Sequence, residues 1–354
     1  MDLVERLLDH CAHVSVTGEE RPIADAVAAR AIERGLPMTR IGDSVVIGER
    51  TSDRPLVVLV GHLDVVPPTD DDLHPRVERR DGEEVVVARG ASDMKAGNVI
   101  ALDIMEDEPL RTASPYELAV VLYAREEGPA AENELADVLD RVTWLREASL
   151  AIVLEPTDGD IQLGCLGALH ATVTFVGKQA HSARPWQGDN ALTKAAPFLA
   201  EVGGREAVDV TVDGVVFRDV WSATQAWTHN ARNVIPGEFT VNLNLRFAPT
   251  RGLEEAEQEL RAMVGDRATV EIIDRAAPAP PRRDAELVEA FIASVGADVT
   301  AKQAWTDVAR FAAVNVPALN YGPGLTSQAH QRGEYIPVTA LHEGAARIRG
   351  FLGG

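Results

Sequence analysis

Histidine and acidic side chains follow three apolar segments of the sequence, at points where buried strands are predicted to end. In chain order they are His62 and Asp64, then Glu126 and Glu127, then Glu155. The carboxyl ends of parallel strands meet at one edge of an open α/β sheet, and such sheets place their sites there. We therefore expect these side chains to come together. Imidazole and carboxylate groups are ligands that suit zinc.

Two more residues complete a possible metal set. Asp93 lies in a glycine-containing segment that follows a predicted strand and opens a helix, and His330 lies in a late polar loop. Two histidines and several carboxylates suit a pair of divalent ions about 3.5–4 Å apart, with one carboxylate shared between them. Each motif alone also has a plainer interpretation. Asp93 would cap a helix, and the other acids would sit in solvated turns.

The local spacing assigns separate tasks to neighbouring residues. Asp64 is placed to accept a hydrogen bond from the second ring nitrogen of His62, which would fix the orientation of the ring. Adjacent side chains of an extended chain point in different directions. One of Glu126 and Glu127 is therefore expected to bind metal, while the other faces the attacking water.

The elements that position these residues follow from apolar periodicity. Residues 55–61, 118–123 and 150–154 predict buried parallel strands, with helices over residues 94–106 and 131–146. An earlier helix is expected after Thr17, where Thr-Gly-Glu-Glu resembles a capping box. Alternation of apolar and polar residues over 168–176 and 239–247 predicts half-exposed antiparallel strands. A proline-rich segment, residues 276–283, predicts a linker.

These patterns predict an α/β fold with two domains. Residues 1–164 and 277–354 would form a mostly parallel-sheet, metal-binding catalytic domain. Residues 165–276 would form an inserted α+β domain of antiparallel sheet and helices. The chain of 354 residues is long enough for both.

Composition excludes several classes of function. The net charge of −21 and the lack of a basic stripe argue against nucleic-acid binding. No apolar run is long enough to span a membrane, and the N-terminal residues do not have the pattern of a secretory signal. Cys11 and Cys165 form no CxxC motif. A cytoplasmic protein is expected. The absence of GxSxG and of a phosphate-binding glycine loop disfavours serine-hydrolase and nucleotide chemistry.

Taken in order, the motifs resemble those of the co-catalytic zinc aminoacylase, carboxypeptidase and desuccinylase family over essentially the whole chain. They are GHLDVVP, RGASDMKAG, REEG, LEPT, KQAHSARPWQGDNA, RNVIP, LNLRFAP, WTDVARF, LNYGPG and AHQRGEYIPV. The resemblance implies a dizinc exopeptidase-like catalytic domain and an inserted lid and dimerisation domain. It also implies a homodimer that acts on a small N-acyl amino acid and binds two Zn²⁺, one of them replaceable by Co²⁺.

The resemblance also implies two sets of metal ligands with Asp93 in common. His62, Asp93 and Glu155 would hold one ion, and Asp93, Glu127 and His330 would hold the other. Asp64 would orient His62.

Catalytic and substrate roles follow from the same resemblance. Glu126 would act as general base and then as general acid on a metal-activated water. His181 would reach the active site of a partner subunit and stabilise the oxyanion. Asn233 and Arg246 would help to bind substrate, although an Asn in a turn and an Arg on a solvent-facing strand are the plainer interpretations.

Arg184 and Thr306 are weaker substrate candidates. Arg184 would bind a substrate carboxylate or serve the structure alone. Thr306 stands in Trp305-Thr306-Asp307-Val308, whereas several family members carry a Gly-Gly-Thr-Ser-Asp type run, so its contact with substrate is an open question.

Within the family, the motifs are most similar to those of actinobacterial members that remove succinate from N-succinyl-LL-2,6-diaminopimelate, a step toward lysine and diaminopimelate. A related deacylase or peptidase, such as an acetylornithine deacetylase or another N-acyl-amino-acid hydrolase, is the nearest alternative. A non-catalytic family member is a further alternative. The complete set of metal ligands, together with Glu126, argues against it.

Overall fold

Strands and helices alternate through the first part of the chain in the computed structural model, which describes residues 2–354. The helices are α1 Leu3–Ala12, α2 Arg21–Glu33, α3 Ala96–Glu106, α4 Glu108–Ala113, α5 Leu135–Arg141, α6 Ala191–Gly203, α7 Leu253–Val264, α8 Glu286–Val295, α9 Val308–Ala313 and α10 Val338–Gly353. The strands are β1 Met38–Ile41, β2 Ser44–Ile47, β3 Leu56–His62, β4 Arg76–Arg80, β5 Glu83–Val87, β6 Glu117–Tyr123, β7 Leu150–Val153, β8 Ile161–Leu163, β9 Gly167–Val176, β10 Ala180–His181, β11 Val208–Val212, β12 Val215–Trp227, β13 Val234–Ile235, β14 Glu238–Phe247, β15 Thr269–Ala276, β16 Val299–Ala301, β17 Ala318–Asn320 and β18 Tyr335–Pro337.

The chain divides into two compact units. The first consists of the residues through Gly164 together with Pro281–Thr300 and Asp307–Gly354, and the second consists of Cys165–Pro280 and Ala301–Thr306. The second unit thus includes a short segment beyond the proline-rich stretch. Hydrogen bonds hold this segment there, from the Leu166 N–H to the Ala304 carbonyl at 3.3 Å and from the Trp305 indole N–H to the Ala277 carbonyl at 3.0 Å.

An eight-stranded mixed sheet forms the centre of the first unit, in the order β1-β2-β6-β3-β7-β17-β8-β16. The neighbours β6, β3, β7 and β17 run parallel, whereas β1, β2 and β8 pair antiparallel. Strands β3, β6 and β7 are buried along their whole length, which explains why their sequences are continuous apolar runs. The predicted mostly parallel sheet is confirmed.

A small antiparallel sheet in the same unit, in the order β18-β5-β4, joins distant parts of the chain. Tyr335 pairs with Val87, and the Ala88 N–H donates to the Glu334 carbonyl at 3.1 Å. The segment after His330 therefore lies beside the segment that leads to Asp93.

The second unit contains a five-stranded antiparallel sheet in the order β11-β12-β14-β9-β15. Apolar side chains of β9 and β14 form one core with buried residues of α6 and α7, including Phe198 and Leu260. The predicted antiparallel sheet with helices is confirmed.

The polar face predicted for residues 239–247 is not open to solvent. Asn242 and Asn244 are buried. Asn242 donates to the Thr224 hydroxyl at 2.5 Å, and the Asn244 amide lies 2.7 Å from His170 Nε2. Strand β14 lies in the middle of the sheet, so its polar side chains are covered by those of neighbouring strands.

Two helix predictions need correction. The capping box at Thr17 is absent, because α2 begins at Arg21 and its N-cap residue Glu20 makes no side-chain capping bond. Glu20 accepts from the Gly18 N–H at 2.8 Å instead. The helix predicted over residues 131–146 is split into α5 and a 3₁₀ turn, Thr143–Glu147. Among residues 2–354, no helix is both long enough and apolar enough to cross a membrane.

Candidate metal centre

Three neighbouring parallel strands end at one edge of the large sheet. His62 is the last residue of β3 and pairs with Tyr123, the last residue of β6, while Val60 of β3 pairs with Val153, the last residue of β7. The residues that follow these strands therefore emerge side by side. This register explains why acids far apart in sequence meet in the first unit.

Asp93 reaches the same edge from a tight turn, Ala91–Lys95. It does not cap α3, whose N-cap residue is Lys95, so the helix-capping interpretation is wrong. The preceding Gly90 has a φ of 83°, and a Cβ there would lie 2.7 Å from Cγ1 of Val65. A glycine is thus required for the chain to enter this turn.

The two carboxylate oxygens of Asp93 face two different histidines. Its Oδ1 lies 3.2 Å from His62 Nε2, and its Oδ2 lies 3.6 Å from His330 Nε2. His330 Nε2 also lies 2.9 Å from Oε2 of Glu127. A carboxylate in this position can donate one oxygen to each of two neighbouring ions.

The ligand atoms gather into compact groups with shared members. Among the described residues, these groups are His62 with Asp93 and Glu155, Asp93 with Glu127 and His330, and His62 with Glu126 and Glu127. Within each group the ligand atoms lie within 4.8 Å of one another. Zinc bound at about 2.0–2.2 Å from each ligand brings two ligand atoms to roughly 3.3 Å of each other. The nitrogen and oxygen donors present fit divalent zinc-like ions.

Asp64 contacts the His62 ring through its main-chain carbonyl, whereas its carboxylate performs a different task from the one expected. The His62 Nδ1–H donates to the main-chain carbonyl of Asp64 at 2.9 Å, whereas the carboxylate Oδ1 lies 3.7 Å away. The carboxylate accepts from the N–H groups of Glu126 and Glu127, both at 3.0 Å, and from the Thr17 hydroxyl at 3.0 Å. Asp64 therefore holds the loop that carries both glutamates.

Burial and neighbouring charges shift the pKa values of Glu126 and His62 in this cluster. Burial raises the pKa of Glu126 well above its usual value, and the negative charges of Glu155 and Asp307 raise it further, while His62 opposes them. Burial on its own lowers the pKa of His62. The hydrogen bond to Asp93 and the surrounding acids outweigh burial and raise that pKa well above its usual value. Excess negative charge of this kind attracts cations.

His330 is the most accessible member, with 55% of its side chain exposed. It has a positive φ of 59°, which turns the chain in its loop. The hydrogen bond with Glu127 raises the pKa of His330 against the opposing effect of partial burial. One side of the cluster is thus open to solvent.

Comparison with known proteins places the chain in a family. Residues 58–353 match the model of peptidase family M20/M25/M40. The chain belongs to this family. It is 36% identical over 360 residues to a succinyl-diaminopimelate desuccinylase of Corynebacterium glutamicum, covering 99% of this chain and 95% of the relative. It is 36% identical over 344 residues to the protein named DapE in Mycobacterium tuberculosis, covering 96% and 95% of the two chains.

Solved M20 and related structures share the fold. Aminopeptidase PepT of Bacillus cereus matches with a TM-score of 0.77 and 18% identity over 99% of this chain and 97% of that one. A dinuclear metal binding peptidase of family M20 from Bacillus subtilis matches with a TM-score of 0.69 and 14% identity, covering 99% and 96%. The family resemblance inferred from the motifs is confirmed.

The remaining candidates of this M20 chain lie in the second unit. His181 in β10 pairs with Val234, the Arg184 N–H donates to the His181 carbonyl at 2.8 Å, and the Ser182 N–H donates to the Asn233 carbonyl at 2.8 Å. His181, Arg184 and Asn233 thus form one exposed group, defined here as the His181 group.

Arg246 and Thr306 are not part of the His181 group. Arg246 is half-buried near the carboxyl end of β14, where burial lowers its pKa and Asp274 partly offsets the effect. Thr306 is buried, and its carbonyl lies 3.6 Å from Sγ of Cys165.

The sequence prediction missed three charged residues that support the segments carrying Asp93 and His330, namely Asp72, Arg89 and Glu334. All three are buried. Arg89 and Glu334 belong to the same motifs as Asp93 and His330. Their opposite charges were the available signal, but the sequence pattern did not reveal that they are buried together.

Proposed function

We propose that this M20 chain is a dizinc amide hydrolase that removes succinate from N-succinyl-LL-2,6-diaminopimelate, in lysine and diaminopimelate biosynthesis. The observation that carries the proposal is the position of Asp93 between His62 and His330, one oxygen toward each. The substrate is supported by the 36% identity, over nearly the full length of both chains, to a relative named for this reaction.

The metal ligands are assigned from the groups of donors. His62, Asp93 and Glu155 hold one ion, and Asp93, Glu127 and His330 hold the other. Both ions are zinc, and one is replaceable by cobalt. When bound, such ions act as Lewis acids and make a water molecule acidic near neutral pH.

Glu126 moves the proton in this mechanism. Its carboxylate takes a proton from the attacking water, whose oxygen forms a bond to the succinyl carbonyl carbon. The C–N bond then breaks, and Glu126 delivers the proton to the departing amine nitrogen. Succinate and LL-2,6-diaminopimelate leave. Asp64 keeps Glu126 in place through the hydrogen bond to its N–H at 3.0 Å.

The second unit supplies substrate contacts in this proposal. It acts as a lid and dimerisation domain, and its His181 stabilises the oxyanion in the active site of the partner subunit. Arg184 and Arg246 suit the carboxylates of the substrate, since a guanidinium binds a carboxylate through paired hydrogen bonds. Asn233 and Thr306 contribute polar contacts.

We propose that the protein acts in the cytoplasm as a homodimer. Its substrate is a small N-acyl amino acid. The net charge of −21 gives no support to nucleic-acid binding. None of the described residues 2–354 forms a helix able to cross a membrane.

The substrate is tested by measuring kcat/KM of the zinc-loaded protein on a panel of compounds. The panel contains N-succinyl-LL-2,6-diaminopimelate, acetylornithine, simple N-acyl amino acids and dipeptides. The proposal expects the succinyl compound to have the highest kcat/KM. A higher kcat/KM for acetylornithine or a dipeptide would overturn the proposed substrate but not the proposed metal centre. No turnover of any compound by protein with two bound ions would favour a non-catalytic family member.

A further inference from the structure

A buried carboxylate joins the two chain segments that carry Asp93 and His330. Glu334 follows His330 in the chain, and only 1% of it is exposed. Its Oε1 accepts from the N–H groups of Ser92 at 2.8 Å and Asp93 at 2.9 Å, and its Oε2 accepts from the Gly90 N–H at 2.9 Å. One side chain therefore accepts from two main-chain N–H groups of the Asp93 turn and from the N–H of the residue just before it.

Arg89 and Asp72 extend this contact into a buried cluster. Nη1 of Arg89 donates to Oε2 of Glu334 at 2.9 Å, and Nη2 lies 3.3 Å from Oδ2 of Asp72. The same Asp72 oxygen accepts from the Gly333 N–H at 2.8 Å. The cluster thus holds both the turn before Asp93 and the loop after His330.

Burying three charged groups is costly, and well-packed apolar residues often stabilise a fold as well or better. What apolar residues could not do is accept from three N–H groups of one turn at once. The geometry therefore favours a role in positioning over a role in stability alone.

We infer that Glu334, supported by Arg89 and Asp72, is a positioning residue that fixes Asp93 relative to His330 and so sets the affinity of the ion held by Asp93, Glu127 and His330. The inference rests on the metal centre proposed above and is independent of the substrate. It is tested by metal binding, without turnover.

The test replaces Glu334 by Gln and titrates chelator-stripped protein with Zn²⁺ against a competing chelator. The substitution keeps the size of the side chain but places an NH₂ group against the N–H groups of the turn or against Arg89. Changes of this kind behind a metal ligand typically weaken binding by about 10–100-fold. We expect at least one of the two zinc affinities of Glu334→Gln to fall about tenfold or more relative to wild type.

Glu117→Gln is the matched control. Glu117 is also buried and accepts from the Thr51 N–H at 2.8 Å and from Nη1 of Arg50 at 2.7 Å. It begins β6, at the opposite end from Glu126 and Glu127. We expect this variant to lose folding stability, measured by urea unfolding of the metal-free protein, and to keep both zinc affinities.

Each outcome decides the inference. Wild-type zinc affinities in Glu334→Gln would overturn it, and so would an equal loss of affinity in Glu117→Gln.

If Glu334→Gln fails to fold, Asp72→Asn takes its place, since it leaves the Asp93 turn untouched. A smaller loss in the same direction is expected there, and unchanged affinity would overturn the inference. If wild-type protein binds no zinc, the proposed function fails as well. If wild type and Glu334→Gln bind two ions equally well, only this inference fails.

Discussion

The carboxylate of Asp64 accepts a hydrogen bond from the main-chain N–H of Glu126 at 3.0 Å, and its second oxygen accepts from the next N–H along the chain at the same distance. Asp64 lies just beyond β3, and the loop with the glutamates lies just beyond β6. The carboxylate therefore ties together two strand ends that supply different parts of the site. We regard this as the contact that holds the proposed general base, Glu126, and the neighbouring proposed metal ligand, Glu127, together.

Asp64→Asn tests this contact. An amide has only one accepting oxygen, so either Glu126 or Glu127 faces an NH₂ group and loses its acceptor. We expect zinc affinity and kcat both to fall by about 10–100-fold, measured by chelator competition and by steady-state kinetics. Thr17→Val is the control, because it removes only the hydroxyl that donates to Asp64 at 3.0 Å. Equal zinc affinity and kcat in Asp64→Asn and wild type would refute the role.

Glu126→Gln separates proton transfer from metal binding. The amide keeps the shape of the side chain but takes up no proton, so kcat is expected to fall by about 10²–10⁴-fold. Zinc content, measured by atomic spectrometry, should stay at the wild-type level. Glu132→Gln alters the same loop at an exposed position that pairs with Arg125, and it should leave kcat unchanged. A Glu126→Gln variant with nearly full activity is incompatible with the assignment.

His181→Ala tests whether the second unit acts in the site of a partner subunit. We expect kcat to fall by about 10²-fold or more, with unchanged zinc content. Mixing His181→Ala with Glu126→Gln, followed by subunit exchange, should raise activity well above that of either variant alone, because each mixed dimer holds one complete site. Loss of zinc from His181→Ala, or a monomer by sedimentation, would contradict this role.

Glu106 provides a test of pH dependence away from the proposed metal centre. Arg6 donates to it at 2.9 Å, and Arg30 donates through both Nε and Nη2. Burial opposes the effect of these arginines, but the net result is a pKa of Glu106 below its usual value. A lowered pKa in the folded state gives stability that is present above the unfolded pKa and is lost as pH falls through the folded pKa.

Glu106→Gln should therefore lower the free energy of unfolding by about 1–3 kcal/mol at pH 7. The difference from wild type should shrink below about pH 4.5. Urea unfolding at the two pH values measures it. Exposed Glu33, at the end of α2, gives the control variant Glu33→Gln, which should change stability by less than about 0.5 kcal/mol. A difference that stays constant with pH would show that the charge of Glu106 is unimportant.

Much of the large sheet could be predicted because its central strands are buried along their whole length and therefore have apolar sequences. Continuous apolar runs mark β3, β6 and β7; His62 is the last residue of β3, and Glu155 lies two residues beyond the end of β7. The edge at which parallel strands end then brings these side chains together without further information. Asp93 was the ambiguous case, since a sequence alone does not distinguish a metal-binding turn from a helix cap.

The features that could not be predicted depend on loop conformation and on burial that results from the pairing of strands far apart in sequence. Arg125, with a φ of 64°, turns the chain so that the next two N–H groups face Asp64. No periodicity encodes that turn. The burial of Glu334 depends on β18 pairing with β5, two strands far apart in sequence. The false capping box at Thr17 fails for the same reason, because its hydroxyl bonds to Asp64 instead of to its own helix.

The most direct test of the central claim is succinate release from N-succinyl-LL-2,6-diaminopimelate as a function of bound zinc. Chelator-stripped protein is titrated with Zn²⁺, and metal content is measured on the same samples. We predict no turnover in the stripped protein and a maximum rate at about two ions per chain, as a shared carboxylate between two ions requires. Full turnover by the stripped protein, or none at any zinc content, would contradict the account.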